Sequence, residues 1–212
     1  LETLLVVVIL AVVMGVVTQG LIQLQKRSSA DAGRVDVTQM SRQFMDQIIN
    51  DLHQTGYPGA KLYDTTDPLS PPPANNIAAG LLSVDSNAVE FEADVDGSGN
   101  VSHVWLMLLW SNGTPVSTGA GSCPCTLQRG TLYKSQVGTT AVPYYTEVNN
   151  VTNTNIFSAY FFDGSQVTLP ASGSDLPNIK NIKITVNLQS PVREMDGTFP
   201  TITMASEAKI NN

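Results

Sequence analysis

The chain has 212 residues, of which only 14% are charged, and its net charge is −7 with a pI near 4.6. That length accommodates one globular domain with an appendage, and the acidic balance argues against nucleic acid, whose binding calls for clustered Lys and Arg. Two cysteines (Cys123, Cys125) and two distant histidines (His53, His103) exclude a disulfide-dense scaffold and the usual structural zinc sites.

The first element is an unusual helix. No charged residue occurs from Thr3 to Gln25, and Leu4 to Met14 is apolar throughout, long enough for a bilayer, which needs roughly 20 apolar residues. A secretory signal peptide has a shorter apolar core, basic residues before it and a small-residue cleavage site after it; none of these is present. Lys26 and Arg27 follow the run, which by simple charge counting places that side in the cytoplasm; that count leaves out any basic leader removed ahead of Leu1. Glu2 is the anomaly, because a carboxylate at the edge of an apolar span is expensive to bury and marks a functional candidate. Its bland reading is a helix-end acid that favours the positive end of the dipole.

Beyond Gln25 the pattern becomes amphipathic. Val37, Met40, Phe44, Ile48 and Leu52 recur at three- and four-residue spacing, with Met45 and Ile49 widening the stripe. Arg27/Asp31 and Arg42/Asp46 are spaced to pair along the wetter side. Thr55-Gly56-Tyr57-Pro58-Gly59 predicts a stop near His53. The chain therefore divides at about residue 53: 1–25 apolar all round, 26–53 a one-faced spine, and 54–212 a head.

The segment from about 55 to 87 is rich in Pro, Ala and Asn, and Pro68, Pro71, Pro72 and Pro73 forbid regular helix. It reads as a long loop with a short helical turn at Ile77–Leu82. Strands follow. Phe91, Ala93 and Val95 alternate with Glu90, Glu92, Asp94 and Asp96, and Val101 to Trp110 is a strongly apolar second strand. Further strands are predicted at 126–134, 145–149, 156–162, 166–169, 179–188 and 201–210, with Asp163-Gly164 as a hairpin turn. One long helix followed by antiparallel strands is an α+β fold.

Candidate sites lie in the head. Asp94, Asp96, Ser98 and Asn100 crowd oxygen atoms on a glycine-rich turn, as calcium sites do, although the spacing is not that of an EF-hand; a plain Asp/Gly hairpin is the competing reading. Cys123-Pro124-Cys125 is expected to close an internal disulfide, there being no other partner in the chain, against the alternatives of intermolecular pairing or free thiols. Trp105, Trp110, Tyr144, Tyr145, Tyr160, Phe161 and Phe162 read as core packing rather than a ligand surface. His103 is expected to be a satisfied sheet histidine or an exposed one. No nucleophile elbow, phosphate loop or metal-ligand cluster occurs, so no enzymatic activity and no further cofactor is expected.

Leu1-Glu2-Thr3-Leu4-Leu5-Val6-Val7-Val8-Ile9-Leu10 resembles the segment following the prepilin peptidase site in type IV pilins and type II secretion pseudopilins, where Glu2 matches a characteristic glutamate. The methylated Phe and its neighbours that open the mature chain in that family do not occur here, so the sequence is expected to begin a few residues late. The resemblance covers the first quarter of the chain. Downstream, Ser41-Arg42-Gln43-Phe44-Met45-Asp46-Gln47-Ile48, the Asp-x-Asp-Gly-x-Gly turn and Ile179-Lys180-Asn181-Ile182-Lys183-Ile184-Thr185 look like PilW-like minor pilins. The resemblance implies a pilin fold and a subunit that waits in the bacterial inner membrane. That subunit then polymerises with identical copies into an extracellular filament, with minor pilins and inner-membrane assembly machinery as further partners. A pseudopilin acting as a periplasmic piston is the alternative; a membrane-anchored periplasmic binding domain or enzyme is a third reading. In the family the glutamate at Glu2 neutralises the N-terminal amine of a neighbouring subunit. Many pilins carry a Pro one-third along the helix; here Gly15, Thr18 and Gly20 stand in that stretch, and local opening between about Gly15 and Leu21 is expected in an assembled filament.

Overall fold

The computed structural model describes residues 2–59, 76–194 and 196–210. Helix α1 runs over Glu2–His53, 52 residues. It ends where Gly56 adopts a left-handed conformation, φ 78°, and the chain turns back with Gly56 N–H donating to the Glu92 carbonyl. The side chains it buries are Ala30, Val37, Ser41, Phe44, Met45, Ile48, Asp51 and Leu52. Val37, Phe44, Met45, Ile48 and Leu52 are from the predicted stripe, whose Met40 and Ile49 are half-buried, and no described residue before Ala30 is buried.

Eight antiparallel strands form one curled sheet: β1 Leu81–Val84, β2 Ala88–Ala93, β3 Ser102–Leu109, β4 Cys125–Tyr133, β5 Tyr144–Val151, β6 Phe157–Phe161, β7 Ile179–Gln189 and β8 Thr201–Lys209. β1 to β5 are a meander. β7 carries β8 along one edge, and along the other it carries β6 followed by a single pairing of Leu188 with Val151 of β5. The curl brings the ends of this path together: the Ser86 carbonyl in the β1–β2 turn accepts from Ile156 and Phe157 N–H, at 2.7 and 2.9 Å. Strict alternation builds the inner face, with Val104, Leu106 and Leu108 from β3 and Ile182, Ile184, Val186 and Leu188 from β7 buried. These join Phe44, Ile48 and Leu52 of α1 in one core, each fully buried Leu or Ile contributing about 1.5–3 kcal/mol. The helix rests mainly on β8 and β5.

Several local expectations change. Leu81 and Leu82 belong to β1, not to a helical turn, because Leu81 and Val84 are pinned against β2 inside the core. The prolines at 68 and 71–73 lie outside the described residues. Residues 166–169 form no strand: after the Asp163-Gly164 turn the return arm makes one bridge, Gln166 to Tyr160, before leaving the sheet. The predicted pairs Arg27/Asp31 and Arg42/Asp46 are not among the ion pairs of the described residues; exposed side chains on a helix gain little by closing. Of the aromatic residues expected in the core, Trp110 and Phe161 pack against it half-buried, and others sit elsewhere. Trp105 is on the outer face of β3, Tyr145 is exposed and Phe162 is 88% exposed, whereas the fully buried rings are Phe91 and Phe157. Period two decides this, since Val104 and Leu106 cannot face the core unless Trp105 faces away. His103 is neither hydrogen-bonded nor exposed. It stacks on Trp105, ring centres 3.8 Å apart, and its Nε2 is buried without a hydrogen-bond partner, 3.6 Å from a Glu90 oxygen.

Candidate assembly interface

The surface that stands out is the free half of α1. Every residue described from Glu2 to Ser29 is exposed, including Leu4 at 71% and Val16 at 66%. The window apolar enough to cross a membrane has none of its length buried against the head. Thr3 to Gln25 is about 35 Å of helix at about 1.5 Å per residue, against roughly 30 Å of bilayer hydrocarbon. Burying such a surface is worth about 25 cal/mol per Å2, so this half requires a bilayer or other protein around it. Glu2 lies in its first turn, where a carboxylate favours the positive end of the helix dipole. Gly15 and Gly20 leave open space where a Cβ would stand, and the Thr18 hydroxyl donates back to the Met14 carbonyl at 2.8 Å. In the single chain the helix is unbroken through all three.

The head grips the other half by specific contacts. In the last turn of the helix Asp51 is buried and accepts from Arg129 of β4, at 2.8 Å from Nη2 and 3.0 Å from Nε. Burial raises the Asp51 carboxyl above its ordinary range while the Arg129 guanidinium pulls it down. Glu147 on β5 is raised as well, by burial first and by the Asp51 charge, with Arg129 opposing. Beside the chain that leaves the helix, the buried Glu92 carboxylate accepts from Lys134 Nζ at 2.7 Å and from the Ala79 N–H at 2.8 Å. At the free end of the grip the β7–β8 connection lies against Gly33, where a Cβ would come within 3.0 Å of Ser190 Oγ and 3.3 Å of a Val192 methyl. Arg34 reaches Glu194 at 3.6 Å, and Ser41 Oγ meets Met204 Sδ.

The remaining predicted sites lie on the sheet. On the β2–β3 turn the carboxylate oxygens are occupied by protein donors: Asp94 accepts from Ser98 and Gly99 N–H at 3.0 and 2.9 Å, and Asp96 from Ser98 N–H at 3.0 Å and Tyr133 O–H at 2.9 Å. The Ser98 hydroxyl, with these donors, holds Asp96 down at about 2. Asn100 turns inward to Ser98 Oγ. Among the described residues no three His, Cys, Asp or Glu side chains are grouped to hold a metal ion. Cys123 and Cys125 are joined in a disulfide at the start of β4, Cys125 fully buried.

No family model, curated protein or solved structure matches this chain. The architecture nonetheless stands on its own geometry: a long apolar helix, half of it outside the fold, packed by its other half on an antiparallel sheet, an arrangement consistent with a pilin-like fold. Sequence reasoning located the free half of the helix and missed what holds the other half. Asp51 was open to detection, since it falls on the apolar stripe three residues after Ile48 and seven after Phe44. Arg129 and Gly33 carried no local signal.

Proposed function

We propose that this chain is a structural subunit, not an enzyme, that polymerises through its apolar N-terminal helix into an extracellular filament of the type IV pilus kind. The observation that supports this reading most is the complete exposure of α1 from Glu2 to Ser29 on a head that is otherwise well packed. A helix serving only as an anchor is satisfied by lipid. One that continues without a break into the spine of its head transmits position rigidly from the apolar part to the head, as a filament requires. Before assembly the apolar half resides in the inner membrane; on assembly it exchanges lipid for the helices of identical subunits. Glu2 then sets register, because a carboxylate left unpaired among apolar helices costs several kcal/mol and misaligned subunits are penalised. Minor pilins and membrane-bound assembly machinery are the further partners this reading entails.

The test is expression of the full chain with its secretion machinery and electron microscopy of shed surface material with antibody against the head. Long labelled filaments are expected, and Glu2→Lys should abolish them while leaving membrane-held protein with a folded head. Label confined to the periplasm in wild type would overturn the extracellular filament and favour the pseudopilus.

A further inference from the structure

The apolar span and the head meet at a crevice. On the helix side it is lined by Lys26, Arg27, Ala30 and Asp31, and on the head side by Glu194 and Asp196 of the β7–β8 connection. Gly33 lets that connection descend onto the helix, and the Arg34–Glu194 contact holds it there. Lys26 and Arg27 are the first charges after Gln25, so in a bilayer they stand in the headgroup layer, with Asp31 about 6–8 Å further along at about 1.5 Å per residue. Neither Lys26 nor Arg27 is in an ion pair among the described residues. On the opposite wall the Thr198 hydroxyl and N–H both donate to Asp196, at 2.7 and 2.9 Å. These bonds keep that carboxylate ionised and aim it from a fixed turn.

Charges of opposite sign thus face one crevice, Lys26 and Arg27 on the helix side and Glu194 and Asp196 on the head side, with Asp31 beyond the cations along the helix. A simple anion entering it meets three carboxylates, and a simple cation meets Lys26 and Arg27. A phosphate joined by two carbons to an ammonium satisfies both walls. We propose that this crevice binds the headgroup of an ethanolamine phospholipid, with the phosphate on Lys26 and Arg27 and the ammonium on Glu194 and Asp196. A choline headgroup presents the phosphate equally well, but its nitrogen has no N–H to donate, so the acidic wall discriminates between the two. Membrane-held subunits would then carry a bound lipid at the point where the head must leave the bilayer. This inference rests on the reading that Thr3–Gln25 resides in a membrane.

The experiment uses the full-length chain in nanodiscs of equal parts ethanolamine, choline and glycerol phospholipid, with native mass spectrometry of the lipids retained after release into detergent. Ethanolamine lipid should be enriched about tenfold over choline lipid, the ratio at the lower end of what one hydrogen bond to a charged group provides. Asp196→Asn with Glu194→Gln should equalise the two, and Lys26→Gln with Arg27→Gln should reduce retention of both. Circular dichroism of each variant confirms that the head remains folded. Equal retention by wild type, or preference for the anionic glycerol lipid, overturns the proposal and leaves the filament reading intact. Failure of the wild-type chain to float with lipid overturns it together with membrane residence. If Lys26→Gln with Arg27→Gln keeps the lipid profile but stops self-association, the crevice serves a second copy of the chain and the lipid assignment is wrong.

Discussion

Asp51 joins the end of the helix to the sheet. Its carboxylate is buried on the apolar stripe, and Arg129 supplies two hydrogen bonds to one of its oxygens. Removing one partner leaves the other charge buried and alone, so Asp51→Ala should destabilise the head by about 3–5 kcal/mol, and the double replacement of Asp51 and Arg129 by apolar residues should cost much less. Chemical denaturation of the detergent-solubilised chain, followed by tryptophan fluorescence, measures both. The neighbouring acids also set a pH slope. Asp51 and Glu147 are raised in the fold, so between their ordinary values and their raised ones the folded state holds more protons than the unfolded. Stability from this cluster is therefore greatest at low pH and falls as pH rises through the raised values. Asp96 has the opposite sign: held down at about 2, it contributes above the ordinary aspartate range, and that contribution is lost as pH falls towards 2. Glu147→Gln should flatten the decline above about pH 4.5, the range in which glutamate titrates, and Asp96→Asn the loss below it. A denaturant midpoint that fell equally with rising pH in the Glu147 variant would contradict the assignment.

At the scale of elements, the helix is one object with two environments, and the boundary between them lies at Ala30, the first residue the head covers. Gly33 fixes where the β7–β8 connection docks. Gly33→Leu drives a side chain into Ser190 and Val192, and should cost about 1–3 kcal/mol in strain or undocking, visible as faster proteolysis between residues 190 and 200. Gly15 and Gly20 touch nothing in the single chain. Replacing each by Ala should stabilise the isolated helix by about 1 kcal/mol. If the segment opens during assembly, as the glycines suggest, the double variant should form filaments more slowly while its monomer gains helicity. Unchanged filament yield would mean the helix stays closed.

For the whole molecule, the covered core and the bare helix are separable. A chain beginning at Lys26 should be a soluble, monomeric, folded head, because nothing before Ala30 is buried; gel filtration and circular dichroism test this. A truncated head that aggregates would show that the apolar half shields part of the sheet.

The amino-acid sequence by itself determined the features that repeat along the chain at short range. An uninterrupted apolar run, a stripe at helical spacing and alternation in strands are each governed by the local period of the backbone, so α1 and β2 to β8 were legible within a few residues. It also marked Glu2, because a charge at the edge of an apolar span stands out without any structure. What the tertiary structure alone decided depends on residues far apart in the chain. Which face of β3 meets the core, and so whether Trp105 and His103 are buried, depends on register with β2 and β4 and on where the helix lies. The joining of β5 to β7 by one pairing, the capture of Asp51 by Arg129 and the crevice between Lys26 and Asp196 each bring together residues far apart in the chain. Local periodicity specifies which residues seek burial; only packing in three dimensions specifies against what.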